Sequence, residues 1–319
     1  MKLLILTCVY NDWDCCEKLL PLLNTELDRA GLRADLLLVD DGSTEALPLS
    51  LIGRSPKAFG EVSVLHLRRN LGSQRAIAVG LCYIFENAPC DAVIVMDADG
   101  EDRPEDVTRL IQKLQSESAP TIIFAERTKR SETLLFTFFY HLYRFLHLLL
   151  TGKGIRVGNF SIVPYALLGG LVIDMNLWNH YAASVWMSRV RRSTIPSTRG
   201  RRLQGRSKLG FTALVVHGLS AISCYGEIIS VRLLFCSLIL LLVLLTAVAA
   251  TVGIRVFTSL AIPGWTTYTV GILIVIVLQI VLLSIISTTM LLSGRIHQPF
   301  IPLRDYRHFI DQCRRIHPK

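Results

Sequence analysis

The sequence predicts an α/β domain with a mostly parallel sheet, followed by interfacial helices and two C-terminal transmembrane helices. Short apolar runs alternate with helix-spaced segments through residues 1–125, as in sheets covered on both faces. Residues 133–152 have one thin polar stripe on an apolar helix, which favours a helix in the membrane interface over a buried amphipathic helix, and residues 210–226 are also mildly amphipathic. Residues 233–254 and 256–294 lack charged side chains, and each stretch can supply the roughly 20 apolar residues that cross a bilayer.

Each element of the α/β part follows from a local pattern. The apolar run Leu3–Val9 predicts the first strand, and leucines at helical spacing predict a helix over 14–30 that ends at Gly31. The segment "ADLLLVDDGST" predicts a strand and then a turn. The remaining predicted elements are strands over 62–67, 92–96 and 121–125 and helices over 72–86 and 104–117.

Composition narrows the class of protein. The chain has 319 residues, is 51% hydrophobic and carries a formal net charge of +9. Its mean hydropathy of +0.44 is high for a soluble protein. The eight cysteines form no C-x-x-C pair, so we expect reduced thiols that pack in the interior. Zinc-ligand spacing and basic–aromatic interleaving are absent from the sequence, which argues against a nucleic-acid partner.

Basic residues predict the membrane orientation. Eight arginines and lysines and no acid lie between Arg189 and Lys208, ahead of the first span, and the tail after the second span is also basic. Only Arg255 lies between the spans. Because positive flanks stay in the cytoplasm, we expect a multi-pass protein of the inner (cytoplasmic) membrane, with the α/β domain and both termini cytoplasmic. A homo-oligomer is compatible with the sequence.

Paired acids end two of the predicted strands, as Asp40-Asp41 and as Asp97-x-Asp99. Ligands of parallel sheets bind beyond the carboxyl ends of the strands, and crowded carboxylates repel each other unless a cation offsets their charge. Oxygen ligands at this spacing suit Mg²⁺ or Mn²⁺ together with the phosphates of a nucleotide. Either motif alone also fits a solvated turn, but both on one sheet edge favour a binding site.

Four segments, in order and spacing, resemble family 2 glycosyltransferases: "TCVYND", "LLLVDDGST", "RRNLGSQRAIAVG" and "VIVMDADGEDRPED". The segment "RGRRLQGRSKLGF" ahead of the spans resembles the polyprenyl-phosphate branch, which includes dolichol-phosphate mannose synthases and bactoprenol glucosyltransferases. The resemblance implies a GT-A-type nucleotide-binding fold. It also implies a membrane-anchored inverting enzyme that moves a sugar from a UDP- or GDP-sugar to a polyprenyl phosphate lipid.

The resemblance also assigns roles to residues. The nucleotide-binding residues that it implies are Val9, Asn11, Asp12, Asp40, Asp41 and Asp97. Mg²⁺ or Mn²⁺ is expected on Asp97, Asp99 and Glu101, where Glu101 replaces the glutamine frequent in this branch. Asp97, Asp99 and Arg127 are the implied catalytic residues, with Arg127 as a phosphate contact. The implied acceptor-phosphate residues are Arg201, Arg202, Arg206, Ser207, Lys208 and Asn159.

The sequence leaves two kinds of acceptor group open, a lipid phosphate and a lipid hydroxyl. Asn159 stands where many relatives carry an acid that has been viewed as a base. A lipid phosphate is already ionised at neutral pH, since its second pKa is near 6, so that acceptor needs no base. A lipid hydroxyl needs one, and Asp99, Asp174 and Glu126 are the candidates for it. A non-catalytic sugar-nucleotide-binding membrane protein is the third alternative. The absence of Q-x-x-R-W argues against a processive polysaccharide synthase.

Four regions are therefore predicted along the chain. Residues 1–132 form the catalytic core, and residues 133–231 form the acceptor side with its interfacial helices and basic segment. Residues 232–294 hold the two transmembrane helices, and residues 295–319 form a basic cytoplasmic tail.

Overall fold

The computed structural model describes residues 1–52, 57–127, 148–152, 157–205, 210–258, 262, 264–296 and 300–317. The strands in these residues are β1 Leu3–Val9, β2 Ala34–Asp40, β3 Phe59–Leu67, β4 Ala92–Asp97, β5 Ile122–Arg127, β6 Val157–Pro164, β7 Arg192–Ser197 and β8 Ile310–His317. The helices are α1 Trp13–Arg29, α2 Leu49–Ile52, α3 Ser73–Asn87, α4 Pro104–Ser116, α5 Tyr165–Val172, α6 Tyr181–Met187, α7 Phe211–Ser223, α8 Gly226–Phe257, α9 Trp265–Ile296 and α10 Pro302–Asp305.

All these strands form one sheet in the order β7-β5-β6-β4-β1-β2-β3-β8. The neighbours β4, β1, β2 and β3 pair in parallel, as do β5 and β7. Only β6 and β8, among the described strands, run antiparallel to their neighbours. The predicted mostly parallel sheet is confirmed. The carboxyl ends of β1, β2, β4 and β5 consequently lie along the same edge of the sheet.

Helices cover both faces of the sheet, which explains why β1 is apolar throughout instead of alternating. Leu3 and Ile5 belong to a buried cluster formed with α1 and α4 on one face. Leu4 and Leu6 belong to a second cluster formed with α3 on the other face. Burying each such side chain stabilises the fold by roughly 1.5–3 kcal/mol. Packing on both faces therefore holds β1 in the middle of the sheet. It also sets the positions of the loops that follow the strands.

The tail of the chain supplies an edge strand. β8 pairs with β3 from His317 opposite Val62 to Ile310 opposite Leu67. An ion pair of 2.7 Å between Arg307 Nη2 and Glu86 Oε2 holds the turn ahead of β8 against α3. Residues 295–319 were expected to be a basic tail, and no strand was predicted there.

A second compact unit comprises Phe145–Lys153 and Tyr225–Pro299 and contains α8 and α9. By length and composition, Gly226–Phe257 and Trp265–Thr289 can each cross a membrane, with mean hydropathies of 2.9 and 3.0. Ser284 Oγ donates a 2.8 Å hydrogen bond to Ser237 Oγ, which joins the two helices. The two C-terminal apolar helices are therefore confirmed.

The interfacial helices have different outcomes. The helix predicted over 210–226 is present as α7, but its place in a membrane interface stays a prediction. The helix predicted over 133–152 lies outside the described residues except for 148–152.

Candidate active site

The carboxyl edge of the sheet brings together the strand ends that the sequence singled out. The register sets Val9 of β1 beside Asp40 of β2, and Cys8 of β1 beside Asp97 of β4. The loops after these three strands therefore border one site.

The turn after β2 is built by its own acids. Asp41 accepts hydrogen bonds from the backbone N–H groups of Leu71 and Gly72, at 2.7 and 2.9 Å. Burial raises the pKa of Asp41 to about 6, against the lowering effect of these donors. Gly42 has a φ of +70°, and a Cβ there would lie 2.5 Å from the carbonyl carbon of Arg69. The "DDG" sequence thus ties the turn after β2 to the loop that leads into α3.

Asp40 and Asn11 shape the adjacent wall. Asp40 Oδ1 accepts from the Ser43 backbone N–H at 2.9 Å, and Oδ2 lies 2.8 Å from His66 Nδ1. Asn11 has a φ of +48°, and its side-chain oxygen accepts from the backbone N–H of Thr44 at 2.8 Å. These bonds fix the rim of the site on the side of β1 and β2.

Buried charge concentrates at the end of β4. Asp102 is 3% exposed and accepts from the Asp97 backbone N–H at 2.9 Å and from Arg127 Nη2 at 3.3 Å. Burial, and then the charge of Asp97, raise the pKa of Asp102 to about 7. Burial also raises the pKa of Asp97, while Arg127 and a hydrogen bond from Asn159 oppose that rise. Arg127 is therefore the internal counter-charge of Asp97 and Asp102.

The other two acids of the motif face arginines. Residues 199–204, which we call the arginine strap, follow β7 and lie against residues 99–101. Arg202 Nη1 lies 3.1 Å from Asp99 Oδ2, and Arg202 Nη2 also pairs with Asp12. Arg199 Nη2 lies 2.5 Å from Glu101 Oε2. The arginine strap therefore forms ion pairs with Asp12, Asp99 and Glu101.

The three acids proposed for the metal fit a hard divalent cation by their chemistry, since all offer carboxylate oxygens. Burial, and then the charge of Asp97, raise the pKa of Asp99 to about 6, which a bound cation would reverse. Across the described part of the chain, however, no three ligating side chains come together in a metal-binding group. The donor set fits, and in this arrangement two of its members are paired with arginine.

A polar wall stands opposite the acids. Asn159 on β6 donates to Asp97 and accepts from Gln74 Nε2 at 3.0 Å. Gln74 Oε1 in turn accepts from the Tyr181 backbone N–H at 2.8 Å. The ring of His217 on α7 lies against that of His180, with centroids 4.7 Å apart and the rings tilted by 43°. Burial lowers the pKa of His217, and the negative charge of Asp97 opposes this effect. His217 and Asp97 therefore interact electrostatically.

The structure thus brings some predicted site residues together and not others. Eleven of the predicted site residues border the carboxyl edge of the sheet: Val9, Asn11, Asp12, Asp40, Asp41, Asp97, Asp99, Glu101, Arg127, Asn159 and Arg202. Arg201 is exposed, and the neighbouring Arg202 is the residue that pairs with the acids. Arg206, Ser207 and Lys208 lie outside the described residues. Of the alternative bases, Asp174 accepts from the Asn176 N–H at 2.9 Å and Glu126 accepts from Thr194 Oγ1 at 3.2 Å.

Three residues at the edge were missed by sequence reasoning. Asp102 belongs to the acidic run after β4, and its position just before Pro104 at the start of α4 could have marked it as buried. Gln74 is the second residue of α3, two positions after Gly72. Its place in the first turn of a helix that follows the glycine could have marked it as a site residue. His217 sits in an apolar stretch far along the chain and carries no local signal.

These elements form an acidic site at the carboxyl edge of a mostly parallel α/β sheet, and the comparisons identify the family. The family model for glycosyl transferase family 2 matches residues 4–164, about half of the chain. The chain therefore belongs to glycosyl transferase family 2. The matched segment runs from β1 to the end of β6, so it includes the acidic edge and Asn159.

Two curated relatives resemble a shorter part of the chain. The undecaprenyl-phosphate 4-deoxy-4-formamido-L-arabinose transferase of Salmonella typhimurium (strain LT2) is 27% identical over 133 residues, 42% of this chain and 39% of that protein. The protein of the same name from Klebsiella pneumoniae (strain 342) is 31% identical over 112 residues, 35% of this chain and 33% of that protein. The match spans less than two fifths of either relative.

A solved structure shares the fold. Glucosyl-3-phosphoglycerate synthase from Mycobacterium tuberculosis, in complex with Mn²⁺, UDP-glucose and glycerol 3-phosphate, superposes with a TM-score of 0.50. The match covers 72% of this chain and 80% of that one, at 14% sequence identity. At that identity the likeness shows the fold alone, and it agrees with the GT-A-type fold that the sequence implied.

Proposed function

We propose that the chain is a membrane-anchored inverting glycosyltransferase that moves a sugar from a UDP- or GDP-sugar to a polyprenyl phosphate. Family membership and the acidic edge support the transfer of a sugar, and the undecaprenyl-phosphate relatives favour the lipid phosphate. The observation that carries the choice of acceptor is Asn159, an amide hydrogen-bonded to Asp97. An amide can orient a phosphate but cannot take a proton from a hydroxyl.

The donor occupies the carboxyl edge in this proposal. Asn11, Asp12 and Asp40 border the nucleoside, and Asp97, Asp99 and Glu101 would hold Mg²⁺ or Mn²⁺ at the diphosphate. When bound, the cation offsets the negative charge that builds on the leaving nucleoside diphosphate. Arg127 keeps a positive charge beside Asp97. Its guanidinium group can therefore contact a phosphate of the donor.

The acceptor phosphate approaches the sugar from the face opposite the leaving group, which inverts the anomeric centre. Its oxygen is the nucleophile and is ionised near neutral pH, so no residue has to remove a proton. Asn159 and Gln74 orient the group by hydrogen bonds. Arginine and lysine of the segment 201–208 hold its charge, since guanidinium pairs well with phosphate.

A lipid hydroxyl is the second candidate acceptor, and one observation favours it. His217 is held largely neutral by burial, and a neutral imidazole beside an acid can serve as a general base. Asp174 and Glu126 are engaged in local hydrogen bonds, so His217 replaces them as the candidate base for this second reaction.

The fold also supports a membrane hairpin with both flanks on one side. β7 precedes the apolar helices, β8 follows them, and both strands belong to one sheet. A chain that crosses a membrane twice returns to its starting side, and β8 can then reach β3. Together with the basic flanks, this supports a cytoplasmic location for the catalytic domain and both termini.

A donor panel tests the proposed function. Purified protein in lipid nanodiscs is given polyprenyl phosphate and radiolabelled UDP- or GDP-sugars, and the lipid fraction is counted. We expect label in the lipid with one of the donors, and loss of that label in Asp97→Asn. If no donor labels the lipid under conditions in which the protein binds a nucleotide, polyprenyl phosphate is not the acceptor and the proposal is wrong.

A further inference from the structure

The arginine strap, residues 199–204, is bound to the acidic turn by its backbone. Gly200 N–H donates to the Glu101 carbonyl at 2.8 Å, and Leu203 N–H donates to the Asp99 carbonyl at 3.0 Å. A Cβ on Gly200 would lie 2.5 Å from the Gly100 carbonyl oxygen, so the two segments approach as closely as glycine allows. The far end is held as well, because Gln204 Nε2 donates to Asp14 at 2.9 Å.

The side chains of the strap occupy the acids that a cation would need. Arg202 pairs with both Asp12 and Asp99, and its side chain is 16% exposed. Arg199 pairs with Glu101. Of the three acids assigned to the metal, the strap therefore engages two, while Asp97 interacts with Arg127 and Asn159.

A carboxylate oxygen that pairs with a guanidinium offers less to a metal ion, because both cations compete for the same lone pairs. A donor complex of a divalent cation and a diphosphate brings charge of both signs to this edge. The cation can take over Asp99 and Glu101, and the diphosphate repels the acids but attracts the released guanidinium groups.

We propose that Arg202, assisted by Arg199, is an exchangeable counter-charge that holds the donor site closed until a divalent cation and the nucleotide displace it. Once released from Asp12 and Asp99, Arg202 is free to hold a phosphate. This inference rests on the proposed function, because it concerns the donor site of the same reaction.

Metal binding in the absence of sugar and lipid tests the exchange directly. Mn²⁺ is titrated into the purified full-length protein in nanodiscs, with UDP or GDP absent and then present, and free Mn²⁺ is read by electron paramagnetic resonance. Arg202→Gln removes the competitor, so we expect Mn²⁺ to bind about tenfold more tightly than to the unaltered protein, in line with the loss of one hydrogen bond between charged groups at Asp99. Arg202→Lys keeps a charge and should fall between the two.

Arg201→Gln is the matched control. It removes the same charge from the adjacent residue, which is exposed and, among the described residues, forms no ion pair with Asp12, Asp99 or Glu101, so it reports the general effect of charge on metal affinity. We expect its Mn²⁺ affinity to stay within about twofold of the unaltered protein. Thermal melting of each variant shows that the fold is retained.

The outcomes separate the possibilities. Mn²⁺ binding to Arg202→Gln that is equal to or weaker than binding to the unaltered protein overturns the exchange. Absence of Mn²⁺ binding in every variant also overturns it and makes the arginines a permanent replacement for the cation. A failed donor panel with an intact tenfold gain sinks the proposed acceptor reaction but leaves the exchange standing.

Discussion

The substitution Asn159→Asp distinguishes the two acceptor chemistries by the sign of its effect. Asn159 contacts the Asp97 carboxylate, so an aspartate there places two carboxylates in contact. At about 4 Å and an effective dielectric constant of about 20, two unit charges repel by about 4 kcal/mol. An acceptor phosphate, which carries a charge of about −1.5 to −2 near pH 7, meets this added charge as it approaches.

The introduced carboxylate repels an acceptor phosphate on the same scale, and where the bound cation screens part of this repulsion a loss of about 3 kcal/mol remains. We therefore expect Asn159→Asp to lower acceptor use about a hundredfold, more than Asn159→Ala, which removes hydrogen bonds but adds no charge. A hydroxyl acceptor predicts the opposite, because a new general base contributes about 10²–10⁴-fold.

The assay measures initial rates in nanodiscs with polyprenyl phosphate varied at saturating donor. Asn159→Ala is the control for lost hydrogen bonds, and nucleotide affinity by calorimetry shows whether the donor site is intact. An Asn159→Asp protein that works as fast as the unaltered protein, or faster, refutes the reasoning from the phosphate's own charge.

Three further outcomes follow from the site and the fold. Excess EDTA should stop transfer and Mn²⁺ or Mg²⁺ should restore it, and Asp99→Asn should lower the rate about a hundredfold; full transfer in EDTA contradicts the metal role. In cells, a single cysteine at Thr258 should react with an impermeant thiol reagent from outside, while a protein that keeps only Cys313, exposed on β8, should react after lysis alone; the reverse pattern contradicts the orientation. The raised pKa of Asp41 means that the folded chain keeps a proton that the unfolded chain loses from about pH 4. Stability should therefore fall by about 2–3 kcal/mol as the pH rises from about 4 to 6, and Asp41→Asn should flatten that slope in denaturant titrations.

Local patterns predicted the elements that local forces decide. The leucine spacing of α1 predicted residues 14–30 and the helix spans Trp13–Arg29, because one apolar stripe packs on the sheet. Pro104 marked the first turn of α4. The strand-end acids were recognisable because parallel strands collect their carboxyl ends at one edge.

Long-range pairings were beyond the reach of the sequence pattern. β8 is decided by the free edge of β3, more than 240 residues away along the chain, and its own sequence "IDQCRRIH" alternates only weakly. The contacts of Arg202 are likewise set by the return of the segment after β7 to the acidic turn. The basic segment was predicted to hold a lipid phosphate, whereas Arg202 lies on Asp12 and Asp99 in this structure.

The comparison of two matched lipids tests the central claim most directly. The protein in nanodiscs is given its labelled sugar nucleotide with either polyprenyl phosphate or the polyprenol of the same chain length. The account predicts a labelled product with the phosphate alone, from which mild acid releases the sugar. Equal labelling of the polyprenol, or a product that survives mild acid, would contradict it and establish a lipid hydroxyl as the acceptor.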